Sequence, residues 1–241
     1  MKFIDEIKKV NWLRILLFYG LILIATYSSR KLPNLLTLLL GQFTDIHFPW
    51  NYNHGIAILI ISFLFYKFSG VKQEITLLGS NKLKSLAFPV ILLIGYTVYG
   101  ISNENGINKH LWAFIFCIFT LVYDIMEEYT WRGYLIESLG KINLIIKAVV
   151  SGIFWAIWHL LIFGDFKQYG GFGVFLIFCI VFSIILTFSA SKSKAILVPA
   201  TIHALLIRTN IVTLICFVLF MLILFTWNKI FTKEEQLSKA E

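Results

Sequence analysis

Long apolar runs, broken at intervals by short polar stretches, set the pattern of this 241-residue chain. They fall at 11–29, 55–70, 86–101, 111–135, 146–164, 172–190, 195–208 and 211–228. A run of about 20 apolar residues can cross the hydrocarbon core of a bilayer as an α-helix. The pattern therefore predicts an all-α fold, a polytopic membrane bundle of about eight transmembrane helices. The seventh run is the weakest, because barely a loop parts it from the eighth. A shorter stretch, 32–43, is too brief to span and fits an interfacial or re-entrant segment.

Composition removes the soluble alternatives. Hydrophobic residues make up 59% and charged residues 14% of the chain, against roughly 45–50% and about 25% in soluble domains. So few charges cannot cover a water-facing surface. The formal charge of +8 would suggest nucleic acid in a soluble domain, but here most Lys and Arg lie between apolar runs, where they orient the chain and meet lipid headgroups. No nucleic-acid partner is expected. Cys117, Cys179 and Cys216 sit in apolar runs without CxxC spacing and read as small hydrophobes.

With the N-terminus inside, one face takes Lys2, Lys8, Lys9, Arg14, Lys67, Lys72, Lys82, Lys84, Arg132, Lys141, Lys147, Lys192, Lys194, Lys229, Lys233 and Lys239. The other takes Arg30, Lys31, Lys109, Lys167 and Arg208. This 16-to-5 division places both termini in the cytoplasm and agrees with an even number of spans. Asp5 and Glu6 among the first lysines, and Arg14 within the first run, favour an uncleaved span over a signal peptide. The expected organisation is N-terminal transmembrane helices over 1–110, a core over 111–228 and a polar cytoplasmic tail over 229–241, in a multi-pass protein of the cell membrane.

Ionisable groups inside a membrane cost about 2.5–3.5 kcal/mol each on insertion scales and call for an explanation. Three places stand out: Asp124-Ile-Met-Glu127-Glu128-Tyr-Thr-Trp-Arg132, Trp155-Ala-Ile-Trp-His159 and Pro199-Ala-Thr-Ile-His203. Glu128 and Arg132, four apart on a helix, share a face and suit an ion pair; Glu127 lies about 100° round the helix. One carboxylate is then held ionised while its neighbour is free to act as a base. An ion-paired helix end near the headgroups accounts for the same residues, since Arg132 stands close to the expected cytoplasmic interface.

Counted from Lys147 and Lys194, His159 and His203 lie roughly 18 and 14 Å deep, near mid-membrane. Glu127, counted from Arg132, comes out shallower, at about 8 Å. Two imidazoles and a carboxylate around a buried water make a hydrolytic centre, with Glu127 taking the proton and the histidines binding a metal or an oxyanion. Packing histidines are the plainer reading of each taken alone. The spacing is not HExxH, so a metal would be gathered from separate helices. His47, His54 and His110 read as solvated loop residues on the outer side. Trp155 and Trp158 read as core packing. Pro199 removes a helix hydrogen bond and suggests a kink.

This constellation resembles the CPBP family (CAAX protease and bacteriocin-processing, or Abi) of intramembrane proteases. Its EExxxR motif is matched by Glu127, Glu128 and Arg132, and its aromatic-xxx-His motif by Trp155 and His159, with Trp where Phe is usual. The P-x-x-x-H-x-x-x-N motif is matched at Pro199 and His203, but Ile207 takes the Asn position. The resemblance implies a conical cavity open to the cytoplasmic face and a catalytic set of Glu127, Glu128, Arg132, His159 and His203. A divalent metal such as zinc on His159 and His203 goes with it as an open question. Asn210 lies too far along to replace the missing Asn.

The expected activity is an intramembrane endopeptidase, metallo- or glutamate-dependent, acting on small peptides or membrane-anchored proteins among membrane lipids. Two alternatives stand beside it. One is a weakly active or inactive member serving as an immunity or regulatory binding protein. The other is a small proton-coupled carrier.

Overall fold

Asparagine opens seven of the nine helices described below. In a computed structural model that describes residues 7–46 and 51–228, Asn11 caps α1 (Trp12–Ser29), Asn34 caps α2 (Leu35–Leu40) and Asn51 caps α3 (Tyr52–Phe68). Asn81 caps α4 (Lys82–Tyr99), Asn108 caps α5 (Lys109–Glu128), Asn143 caps α6 (Leu144–Trp158) and Asn210 caps α9 (Ile211–Phe225). Each amide oxygen accepts from backbone N–H groups that a helix leaves unpaired at its start. The uncapped pair are α7 (Phe172–Ser193) and α8 (Leu197–Ala204). In place of a side-chain cap, the N–H groups of Ile196 and Leu197 donate to the carbonyls of Thr76 and Leu77.

The chain runs up and down, so that helix ends collect in two layers. At one end, Arg14 donates to the carbonyls of Ser69 and Ser138, Lys84 donates to those of Thr226 and Trp227, and Thr76 pairs with Ala195. At the opposite end, Arg30 donates to the Ile162 carbonyl, Asn53 to that of Pro33, and the Tyr96 hydroxyl to that of Arg208. Small residues let the helices close on one another. A Cβ on Gly152 of α6 would stand 2.7 Å from the Ile180 Cα of α7, and one on Gly55 of α3 would stand 3.2 Å from the Tyr123 ring of α5.

The architecture is all-helical among the described residues, as the apolar runs predict. Trp12–Ser29, Lys82–Tyr99, Lys109–Ser138, Leu144–Leu161 and Phe172–Ser193 are long and apolar enough to cross a membrane. Tyr52–Phe68, Leu197–Ile207 and Ile211–Phe225 are shorter apolar helices. Together they form a multi-pass membrane protein. The weak seventh run is short for a physical reason: residues 197–205 are all buried within the bundle, so α8 meets protein where other helices meet lipid. The 32–43 stretch contains the six-residue α2, with Leu35, Leu38 and Leu39 exposed, and is no span.

Three expectations change. Arg132 does not mark an interface: helix continues past it to Ser138 and the side chain is 0% exposed. Pro199 falls in the first turn of α8, whose N–H groups have no partner within the helix, so it forfeits no bond and causes no kink there. His54 and His110 are helical residues in α3 and α5, not loop residues; His54 is buried and a His110 ring nitrogen bonds the Thr97 carbonyl at 2.8 Å. His47, the first six residues and the tail from 229 onward lie outside the described residues, as do the lysines there that entered the charge division.

Candidate active site

The last turns of α5 carry Asp124, Glu127 and Glu128, all buried. The helix then widens into a π-helical turn, Tyr129–Leu135, before a final turn at Ile136–Ser138. Such turns insert one residue into an α-helix and recur at functional sites. Arg132 lies in it and donates from Nη1 to Glu128 Oε1 at 3.1 Å and from Nη2 to Ser183 Oγ of α7 at 2.8 Å. Its guanidinium also sits 4.8 Å from the centre of the Trp155 ring. Both members of the ion pair are 0% exposed, which removes the headgroup-interface reading. A buried pair of this kind holds geometry more than it adds stability.

Both histidines stand where an α-helix stops. His159 ends α6 and opens a 3₁₀ turn, His159–Leu161; His203 lies one residue before the end of α8 and the turn Leu205–Ile207. The His159 Nδ1 lies 2.7 Å from the Trp155 carbonyl, which can only accept, so Nδ1 carries the proton and a neutral ring keeps its lone pair on Nε2. The His203 Nδ1 lies 3.0 Å from Glu128 Oε1 and 3.7 Å from Asp124 Oδ1. Glu128 thus joins Arg132 to His203.

Trp155 is a member of this cluster, not passive packing. Its Nε1–H donates to Glu127 Oε2 at 2.8 Å, and its ring meets those of His159 and His203 nearly edge-on, with centres 5.1 and 5.0 Å away. All five residues expected at the centre, Glu127, Glu128, Arg132, His159 and His203, come together around it. The shallow depth expected for Glu127 came from the misplaced Arg132; measured from Ser138, it lies about 16 Å along the helix.

Glu127, His159 and His203 line a cavity of about 810 Å³ whose walls also include Asp124, His54 and Tyr123. The sequence reading left these last three out of the centre. His54 is 3% exposed and a ring nitrogen bonds the Tyr123 hydroxyl. The signal for His54 was Asn51: a cap residue three positions earlier places His54 inside the helix. Asp124 Oδ2 and Thr120 Oγ1, both on this cavity, are buried without a partner in the structure. Ile207 lines the same cavity, so the family's missing Asn is missing from the site itself; Asn210 is spent on the cap of α9.

The mouth is formed by Arg30, Asn51, Tyr169 and Thr209, at the end of the bundle away from the lysine-rich loops. The described chain ends, at 7 and 228, lie at the opposite end of the bundle from this mouth, so a cavity open to the cytoplasm and cytoplasmic chain ends are incompatible in this fold. Among the described residues no three His, Cys, Asp or Glu side chains gather as a set that could hold a metal.

Residues 108–209 match a family described as type II CAAX prenyl endopeptidase Rce1-like. No curated protein and no solved structure matches the chain. The matched segment holds every residue of the three motifs and most of the cavity wall around Glu127, His159 and His203; Arg30, Asn51 and His54 lie outside it. Over that segment the chain is similar to the CAAX protease family that its motifs resemble.

Proposed function

We propose that the protein is an intramembrane endopeptidase in which Glu127 activates a water molecule. The observation that supports this most is the setting of Glu127. Its carboxylate is buried on a cavity wall, is oriented by the Trp155 indole, and has two imidazoles packed against that same indole. A general base needs such a fixed position beside its substrate.

In the proposed step Glu127 takes a proton from water as the oxygen attacks the peptide carbonyl carbon. The carbonyl oxygen gains negative charge. His203, whose Nδ1 side faces Glu128 and Asp124, turns its Nε2 side to that oxygen and can bear the compensating positive charge. Glu127 then returns its proton to the leaving amine as the C–N bond breaks. Glu128 and Arg132 are positioning residues: they hold His203 and do not touch the substrate. The Phe163, Phe175 and Phe178 walls suit an apolar peptide segment, from a small peptide or a membrane-anchored protein.

A second reading has one observation of its own. Ile207 puts a methyl-rich side chain where the family pattern supplies a polar one, and loss of an oxyanion donor costs roughly 10²–10³ in rate. A weak enzyme, or a member that binds without cleaving, follows from that. The deciding experiment compares polypeptide termini in membrane and secreted fractions of cells making the wild type or Glu127→Gln at matched levels. Termini present only with the wild type support hydrolysis and identify the bond. Identical profiles, under conditions where deletion has a phenotype, overturn it in favour of a binding role.

A further inference from the structure

Two independent features of the molecule bear on which side of the membrane the cavity serves. The first is where the helices stop. α6 ends at His159 and α8 one residue after His203, both giving way to 3₁₀ turns and then to the loops at 162–171 and 208–210. The polar centre is therefore reached through one end of the bundle. Exposure increases in that direction, from 2% at Glu127 and 7% at His159 to 37% at Tyr169 and 40% at Leu206. On the opposite side of the centre, the Arg132–Glu128 pair and the fully buried Trp131, Tyr134 and Leu135 close the bundle.

The second feature is charge. With Arg132 assigned to the core, sixteen lysines and arginines remain among the described residues, and the helix directions divide them without ambiguity. Eleven stand at the closed end. Five stand at the mouth end: Arg30, Lys31, Lys109, Lys167 and Arg208. Asp45, Glu104 and Asp165 share the mouth end with these five, leaving it at +2, against +9 at the closed end, where Glu74 and Glu137 stand with the eleven. Positive charge in short loops is retained on the cytoplasmic side during insertion. Both described chain ends, at 7 and 228, lie with the eleven.

We infer that the cavity opens to the extracytoplasmic side, and that its substrate is an exported or membrane-anchored polypeptide whose cleaved bond lies in an apolar stretch entering from that side. The orientation stands on geometry and charge alone; the substrate class rests on the endopeptidase reading above. The resemblance implied the opposite face, so the two are separable by measurement.

Cys117, Cys179 and Cys216 are buried, which leaves the surface free for single added cysteines. Full-length protein carrying Ser102→Cys or Thr209→Cys at the mouth end, or Lys141→Cys at the closed end, is treated with a membrane-impermeant maleimide on intact cells and again after permeabilisation. All three positions are exposed. The expected result is full labelling of Ser102→Cys and Thr209→Cys on intact cells, and labelling of Lys141→Cys only after permeabilisation. The reverse pattern, or labelling of all three on intact cells, overturns the orientation. The termini lost in Glu127→Gln should map to exported segments; termini in cytoplasmic segments overturn the substrate class. If no termini differ, the endopeptidase reading fails, and labelling still decides the orientation by itself.

Discussion

Two cavities of equal size, each about 810 Å³, sit at opposite ends of this bundle, and they make a useful pair. The one at the closed end is walled by Lys9, Arg14, Lys72, Lys141, Lys147 and Lys194, with Glu74 and Glu137. It holds more charge than the cavity around Glu127. Its charges nevertheless do structural work. Glu137 accepts from the N–H groups of Glu74 and Ile75, both at 2.7 Å, and from the Tyr66 hydroxyl, pinning the α3–α4 loop. The Lys194–Glu74 pair is about half exposed, where water screens it to little value. In the other cavity the carboxylates are buried, share few partners and leave oxygens unpaired. Chemical capacity follows from how charge is withheld from water and left incompletely satisfied, not from volume or charge number.

The sharpest way to break this comparison is to remove the base. Glu127→Gln keeps the shape and should lower peptide hydrolysis by roughly 10²–10⁴-fold with an unchanged melting temperature. Retained turnover in purified protein would assign the base elsewhere. Next in size is Arg132→Met, which strands Glu128 as an uncompensated buried charge and should cost about 3–5 kcal/mol of stability. Adding Glu128→Gln should recover much of that loss; failure to do so would mean that the cost lies in packing against Trp155 and Ser183.

Ile207→Asn tests the site in the direction of gain. If the wall lacks an oxyanion donor, turnover should rise, by at most the roughly 10²–10³-fold that one such donor is worth; unchanged or reduced turnover would show that another group already serves. Glu137→Gln, in the opposite cavity, should lose about 1.5–3 kcal/mol, the value of hydrogen bonds to a charged group, while kcat stays at the wild-type level. A parallel fall in kcat would join the two cavities functionally and undo the contrast. Smallest of all, Lys141→Ala should change stability by less than about 0.5 kcal/mol and leave turnover alone.

Much of this arrangement could be read along the chain, because membrane helices announce themselves as apolar runs and because buried charges are too costly to be incidental. Glu127, Glu128, His159 and His203 stood out on that ground. What escaped was anything set by a neighbouring helix. His54 sits in a polar stretch, and only the fit of Gly55 against Tyr123 carries it into the cavity. Trp155 resembles any other buried indole until its N–H is seen to meet Glu127. Along the chain Arg132 reads as an interface marker because helices usually end at such residues; Glu128 beside it and Ser183, on a helix 51 positions away, make its burial tolerable. The cavity's face likewise depends on where α6 and α8 stop, which apolar runs do not record.

The shortness of α8 bears on how the protein is made. Leu197–Ile207 would measure about 17 Å against a hydrocarbon core of roughly 30 Å, and it carries Thr201 and His203. Such a segment has no reason to partition into lipid as it leaves the insertion machinery. Its seat is built by α4, α5 and α7, which pack around it, and by the Thr76 and Leu77 carbonyls that receive its first N–H groups. Those parts are synthesised earlier, so α8 docks into a bundle already in place. His203 therefore joins Glu127 late in biogenesis, and a chain stalled halfway through insertion lacks the assembled cluster of Glu127, Glu128 and His203.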